Sequence, residues 1–361
     1  MSEYKICVYA IAKNEEKFVR RWAESMSEAD EITVLDTGST DGTVKALLQY
    51  PKIKVYKEEI VPWRFDTARN RSLELVAEDA DLCVCTDPDE VFRPGWRKGV
   101  EEALAVGATQ IRYRYTWNFL PDGKEGTVFF ADKMHARRDF TWTHPVHEVI
   151  RYVGGGENKV VTAANVQLDH RADPSKSRAQ YLPLLELSVA EAPLDDRNTH
   201  YLAREYMFHR RYADAVRMFL RHLELPTATW RDERCASMRY LAKCYSALGK
   251  EQEAVRWLWL AAGEAPYLRE PWMDMAAYYY EKKNWYAVIF AVKEALKIKD
   301  RPDTYMTLPE AWSERPYDLL SLAFHYTGDR ENALLCADTA IRMAPENERL
   351  KNNRKFFEAG L

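Results

Sequence analysis

The stretch Asp81-Leu82-Cys83-Val84-Cys85-Thr86-Asp87-Pro88-Asp89-Glu90 decides how the first half of the chain is read. Its apolar opening has the length of a buried strand, and Pro88 among three acids closes it in a turn. Asp87 and Asp89, one residue apart, then stand at the carboxyl end of a strand, where open α/β sheets hold their ligands. Two such close carboxylates repel each other, and a divalent cation carrying a diphosphate relieves that repulsion. Alone, the motif is common, and a solvated acidic turn would also explain it. The segments before it favour the ligand.

Upstream, short apolar runs alternate with helical spacing. Ile6 to Ala12 is apolar on both faces, as a central parallel strand requires. Glu15 to Met26 follows with Phe18, Val19, Trp22 and Met26 on one helical face. Glu31 to Asp36, then Gly42 to Gln49, repeat the strand–helix order, as do Ile53 to Tyr56 and Asp66 to Val76. Leu82 to Cys85 is a fourth strand. Repeated βα units predict a doubly wound sheet. Beyond Asp89 the spacing predicts a helix over Trp96–Val106 and a strand over Gln110–Tyr115, with a polar hairpin at Pro121-Asp122-Gly123-Lys124.

Each early strand ends in a polar loop. Lys13-Asn14-Glu15-Glu16 offers groups that bond a polar base or start a helix. In Asp36-Thr37-Gly38-Ser39-Thr40-Asp41-Gly42 the glycines permit a tight turn, and the carboxylates can accept from a base N–H or a ribose hydroxyl. Phe65-Asp66-Thr67-Ala68-Arg69-Asn70 brings an arginine to a helix start, suited to a phosphate. Singly, these read as a cap, a loop and a surface ion pair. In this order, at the ends of consecutive strands, they read as a nucleotide-diphosphate pocket.

From about Ser175 the strand pattern stops. Aromatic, Ala and Gly or Pro positions recur at about 34 residues, the helical-hairpin tetratricopeptide spacing. One copy runs through Tyr206, Tyr212, Ala215 and Phe219, a second through Leu241, Tyr245, Gly249, Ala254, Ala261 and Pro266. A third has Trp272, Met275, Tyr279, Trp285 and Ala295, the last Phe324, Gly328, Ala333, Ala340 and Pro345. Asp300 to Trp312 breaks the period as a loop. Four repeats are expected.

The 361 residues, 47% of them hydrophobic, suffice for two cores. A net charge of −4 with 30% charged residues disfavours a non-specific nucleic-acid binder. Six cysteines without Cys-x-x-Cys pairs predict reduced, buried thiols in a reducing compartment. The start lacks the apolar core of a signal peptide, and the longest apolar run is too short to span a bilayer. A soluble cytoplasmic protein is expected.

Ile6 to Glu90 resembles the nucleotide-sugar domain of family 2 glycosyltransferases, with the GT-A fold. The likeness rests on Ala12-Lys13-Asn14-Glu15-Glu16, Asp36-Thr37-Gly38-Ser39-Thr40-Asp41-Gly42-Thr43, Ala68-Arg69-Asn70 and Asp87-Pro88-Asp89-Glu90. As a whole the chain resembles the bacterial and phage branch with a following tetratricopeptide domain. The resemblance implies α/β followed by all-α architecture: a Rossmann-like GT-A domain over 1–172 and helical repeats over 173–361. It further implies inverting, metal-dependent transfer from a nucleotide-diphospho-sugar, UDP first among donors, to a hydroxyl or thiol on a glycan, peptide or other polymer. The repeats would hold that acceptor or a second copy of the chain. Asp36 would contact the base, with Ala12, Asn14, Glu15, Ser39, Asp41, Arg69 and Asn70 around the donor. Asp87 would reach the ribose or sugar and the metal, and Asp89 would ligate Mn²⁺ or Mg²⁺. Pro88 replaces a residue that is often small in the family and stiffens the turn.

The remaining chemistry is expected between Phe140 and Arg171, in Trp142-Thr143-His144-Pro145-Val146-His147-Glu148 and Leu168-Asp169-His170-Arg171. By resemblance, Glu148 is the candidate general base, ahead of Asp132 and Asp169. His170 is the first candidate to complete the metal site and His147 the second. Arg138 would offset phosphate charge. Two rivals stand. One is a scaffold with a degenerate transferase domain, against which the intact Asp36, Asp87, Asp89 and Glu148 speak. The other is nucleotidyl transfer, which would normally carry a Gly-rich basic loop after the first strand.

Overall fold

The structure, a computed structural model, describes residues 3–120, 122–173 and 180–359. It divides into two compact units, Met1–Ala190 and Glu191–Leu361.

In the first unit, β1 (Ile6–Ala12) is buried along its whole length, because the chain supplies apolar side chains to both of its faces. It lies between two parallel neighbours, β2 (Glu31–Asp36) and β4 (Leu82–Cys85), and β3 (Ile53–Lys57) pairs outside β2. The intervening helices are α1 (Glu16–Ser25), α2 (Thr43–Leu47) and α3 (Phe65–Glu74). On α1 the buried face is Phe18, Val19, Trp22 and Ala23, and the Trp22 indole N–H donates to Thr86 Oγ1 at 3.0 Å. That bond ties α1 to the end of β4.

Past Asp89 the sheet becomes mixed. β5 (Glu90–Phe92) and α4 (Trp96–Ala105) precede β6 (Gln110–Thr116), β7 (Val128–Ala136) and β10 (Val160–His170). The eight-stranded order is β3-β2-β1-β4-β7-β6-β10-β5. β7 enters antiparallel to both β4 and β6, and β5 pairs antiparallel with β10. A separate hairpin joins β8 (Phe140–Thr143) to β9 (Val149–Tyr152). Of the expected polar hairpin, Pro121 lies outside the described residues. Around it the Leu120 N–H donates to the Lys124 carbonyl at 2.8 Å, and Gly123 has φ +82°. α5 (Tyr181–Glu191) follows the sheet.

The second unit is helical. Four hairpins pair α6 (Asp196–Phe208) with α7 (Tyr212–Glu224), α8 (Arg231–Ala247) with α9 (Glu251–Glu264), α10 (Glu270–Glu281) with α11 (Trp285–Lys297), and α12 (Arg315–Tyr326) with α13 (Arg330–Met343). α14 (Glu348–Ala359) packs on α13. Ala215, Ala254, Ala261, Ala295, Ala333 and Ala340 are all fully buried, where a larger side chain would force paired helices apart. The Asp300–Trp312 insert ends in a short 3-10 turn, Pro309–Trp312. Each hairpin turn contains one left-handed residue: Arg210, Gly249, Lys283 and Gly328, with φ between +55° and +82°. No helix among the described residues is long and apolar enough to cross a membrane.

Candidate active site

The carboxyl ends of β1, β2 and β4 gather the polar loops. Ala12 closes β1 opposite Asp36, and its carbonyl accepts the Thr37 N–H at 2.9 Å. Asn14, at φ +58°, cross-links the first two loops: its N–H donates to Ser39 Oγ at 2.9 Å, and its Oδ1 accepts the Thr40 N–H at 2.8 Å. Asp36 is buried and accepts the Ser39 N–H, and the Glu15 N–H donates to Thr43 Oγ1 at 2.7 Å. Asp41 accepts the Thr43 N–H at 3.0 Å; burial opposes its ionisation, yet the bonds from Thr43 hold its carboxyl below the usual range. A Cβ at Gly42 would displace the Glu16 carboxylate that accepts its N–H at 3.0 Å, so glycine keeps that bond in place.

The acid turn is closed reciprocally. The Asp87 N–H donates to Glu90 Oε2, and the Glu90 N–H to the Asp87 carbonyl, both at 2.9 Å. Because Glu90 opens β5 and pairs with His170 on β10, the antiparallel register carries His170 to Asp89 from 81 residues away. His170 Nε2 stands 3.6 Å from Asp89 Oδ2, and its Nδ1–H donates to the Trp117 carbonyl at 2.9 Å. The ring lies against Trp117 and Tyr115, with centroids 4.7 and 6.2 Å away. Burial lowers the His170 pKa, but Asp89 outweighs it and the net shift is upward. At 3.6 Å the pair is beyond a hydrogen bond and within the span of two donors on one ion at about 2.1 Å each. An oxygen and an imidazole nitrogen suit Mn²⁺, so the donor set fits a divalent cation.

A buried and a partly buried cation brace this edge. Arg69 on α3 reaches Asp87 Oδ1 at 3.0 Å with Nη2, bonds Glu148 Oε1 through Nε, and contacts Cys85 Sγ at 3.2 Å. Its guanidinium faces the Trp142 ring at 5.1 Å. Burial alone would lower the Arg69 pKa; Asp87, Cys85 and Glu148 overcome that and raise it. Lys133 on β7 sits 2.6 Å from Glu90 Oε1 and 3.6 Å from Asp87 Oδ2, and the Tyr115 hydroxyl donates to the same Glu90 oxygen at 2.7 Å. Again burial opposes the charge, and Glu90 with Asp87 restores it.

Several expected residues lie apart from this cluster. β7 runs antiparallel to β4 with Ala136 opposite Leu82, so Arg138 falls beyond the start of β4, at the other end of the sheet from Asp87. It lines a shallow cavity with Leu73, Glu74 and Phe140. The strand cation beside the acids is Lys133, which local sequence reading missed. Its only signal was the alternation with buried His135 two residues on. Asn70 uses its amide to clamp Trp142, accepting the backbone N–H at 2.8 Å and donating to the carbonyl at 2.9 Å. His147, at φ +51°, packs edge-on against Tyr181 at 5.6 Å. Asp169 is bound by Arg93 at 3.1 Å, and Asp132 is exposed.

Residues 7–161 match the family model for glycosyl transferase family 2. A thermophilic TPR protein of Thermus thermophilus is similar at 18% identity over 49% of this chain and 89% of its own, with a TM-score of 0.36. The C-terminal part of a TPR repeat-containing protein from Cytophaga hutchinsonii aligns at 16% identity over 50% of this chain and 65% of its own, with a TM-score of 0.42. No curated protein matches the chain.

Proposed function

Starting from a first unit that carries a family 2 glycosyltransferase domain followed by tetratricopeptide-like helices, we propose a metal-dependent, inverting transferase that uses a nucleotide-diphospho-sugar, with UDP as the first nucleotide to test. The observation that carries this reading is Arg69, whose one buried guanidinium binds both the donor-side Asp87 and the candidate base Glu148. Asp36, Asn14, Glu15, Ser39 and Ala12 line the nucleoside side of the pocket, with Asp41 and Asn70 holding its loops. Asp89 and His170 would hold Mn²⁺ or Mg²⁺, which would supply charge neutralisation for the leaving diphosphate.

Glu148 accepts the proton of the acceptor hydroxyl or thiol while that atom attacks the anomeric carbon. The bond from that carbon to the diphosphate oxygen breaks in the same displacement, with no covalent enzyme intermediate. Arg69 fixes the Glu148 carboxylate against Trp142 and Asp87, and Lys133 fixes the Asp87–Glu90 turn. Glu148 is favoured over Asp169 because it shares Arg69 with the donor-side Asp87, and over Asp132 because that residue is exposed. The helical unit offers the surface for a polymeric acceptor or a second copy of the chain.

Thermal stabilisation against a panel of nucleotide sugars, with and without Mn²⁺, tests the reading. A shift seen only with metal and largest for one donor supports it and identifies the sugar. A well-folded sample that responds to no donor overturns it in favour of a scaffold.

A further inference from the structure

A second candidate metal centre lies wholly within the helical unit. Asp196 opens α6, His222 lies near the end of α7, and Glu233 lies in the first turn of α8, so three helix ends bring their side chains together. One ligand atom from each lies within 4.8 Å of the other two. His222 is fully buried and Glu233 nearly so. Burying a carboxylate beside an imidazole in a helical core, with a second carboxylate at its edge, is unfavourable unless something compensates the charge.

The hydrogen bonds around His222 allow an arrangement in which its Nε2 is available as a ligand. Ser237 Oγ contacts His222 Nδ1 at 2.9 Å and His200 Nδ1 at 2.7 Å. A serine hydroxyl has one proton to give, so it donates to one ring and accepts from the other. When it donates to His200, the His222 Nδ1–H donates to Ser237, and His222 Nε2 presents a bare lone pair to Glu233. A ligating histidine donates its other ring N–H to an oxygen acceptor, a role that the Ser237 hydroxyl fills in this arrangement. His222 Nε2 stands 3.2 Å from Glu233 Oε1, which is long for a charge-assisted hydrogen bond. It agrees with the separation of about 3.3 Å between tetrahedral ligands bound at 2.0–2.1 Å. The carboxylate of Asp196, partly exposed, has no hydrogen bond or ion pair among the described residues, so it can turn to an ion without giving up a bond of the fold. Arg197 lies close enough to Glu233 to offset part of that charge.

We propose that Asp196, His222 and Glu233 bind a transition-metal dication, with zinc the best match to one imidazole and two carboxylates, and that the ion fastens the shared end of α6, α7 and α8. Half-exposed Asp196 leaves a coordination position open to water. The site is separate from Asp89 and His170 and stands whether or not the transferase reading does.

The test uses the full-length chain carrying Asp89→Ala, so that the first unit contributes one donor fewer. Zinc bound per chain is measured by equilibrium dialysis, beside the Asp196→Asn and Glu233→Gln variants of the same chain. One zinc per chain is expected, with affinity lowered at least about tenfold in each variant. The melting temperature should rise with zinc in the parent alone. The Asp196 carboxylate holds no bond of the fold, so its asparagine variant keeps the structure, which circular dichroism checks. A parent that binds no zinc, or binds it as tightly after both substitutions, would overturn the proposal and leave His222–Glu233 as a plain buried ion pair.

Discussion

Buried charges in the two units are assembled over different sequence distances. In the α/β unit, Arg69 meets Glu148 from 79 residues away and Lys133 meets Glu90 from 43, while Trp142 Nε1–H reaches the Tyr9 hydroxyl across 133. In the helical unit the partners are about one repeat apart: buried Arg239 with Asp274 at 35, partly buried Arg234 with Glu264 at 30, and the exposed pair Lys282 and Glu251 at 31. A repeat array satisfies its charges between neighbouring hairpins, so each joint is local. A sheet with crossovers brings segments from far apart in the chain to one edge, and the first unit's site forms where they converge. Substitutions should therefore act on chemistry in the first unit and on local order in the second.

The largest effect is expected where the first unit concentrates its acids. Asp89→Ala removes a proposed ligand without emptying any core, and transfer should fall on the order of 10³-fold, equivalent to several kcal/mol of transition-state charge stabilisation. Circular dichroism should stay unchanged, and undiminished transfer would rule out Asp89 as a ligand. Glu148→Gln should keep donor affinity and lose about 10²- to 10⁴-fold in kcat; a wild-type rate would move the base elsewhere.

Matched truncations of one buried arginine per unit come next. Arg69→Met strands Asp87 and Glu148, a loss of about 3–5 kcal/mol, together with donor binding. Arg239→Met strands Asp274, but Lys243 remains at 3.0 Å, so the loss should be nearer about 3 kcal/mol, with donor affinity intact. Denaturant unfolding and donor titration of both variants read the contrast. Equal loss of donor binding in the two would break it.

The same contrast governs what the sequence disclosed. Strands β1 to β4 were legible because apolar runs and polar ends alternate within about 30 residues, and the repeats because Ala and aromatic spacing recurs. Glycine was a poorer guide: Arg210 and Lys283 occupy the left-handed turn position that Gly249 and Gly328 hold elsewhere. The gathering of Asp87, Asp89 and the loops from Asn14 and Asp36 at one sheet edge was legible because each follows its own strand. Lys133 was not, since its position depends on β7 entering antiparallel to β4, a register that no local pattern states. Arg138 illustrates the same gap, five residues along and at the opposite end of the sheet.

A smaller effect tests burial in the first unit through pH. His135 is fully buried, with its Nδ1–H toward the Ala136 carbonyl and its Nε2 accepting from the Tyr9 hydroxyl at 2.7 Å. Burial holds its pKa down to about 4, against 6.5 in the unfolded chain. Between those values the unfolded chain binds the extra proton, so stability falls as pH drops from 6.5 toward 4. The loss should approach about 3 kcal/mol at its acid end. Unfolding of the first unit should show this slope and His135→Gln should flatten it. The same slope in both chains would assign it to other groups.

The smallest expected effect examines locality itself. Asn284 caps α11 by accepting the Ala287 N–H at 3.2 Å, and Asn284→Ala should cost about 1 kcal/mol. In a cooperative globule such a loss lowers protection everywhere. In a nearest-neighbour array it is felt by the hairpin that owns the cap and by the helices packed against it. Hydrogen exchange should therefore quicken in α10 and α11, less in α9 and α12, and leave α6, α7 and β1 unchanged. Uniform loss of protection across α6 to α13 would mean that the helical unit unfolds as one body. Its one-repeat ion pairs would then share a single cooperative fate, as the charges around Arg69 do.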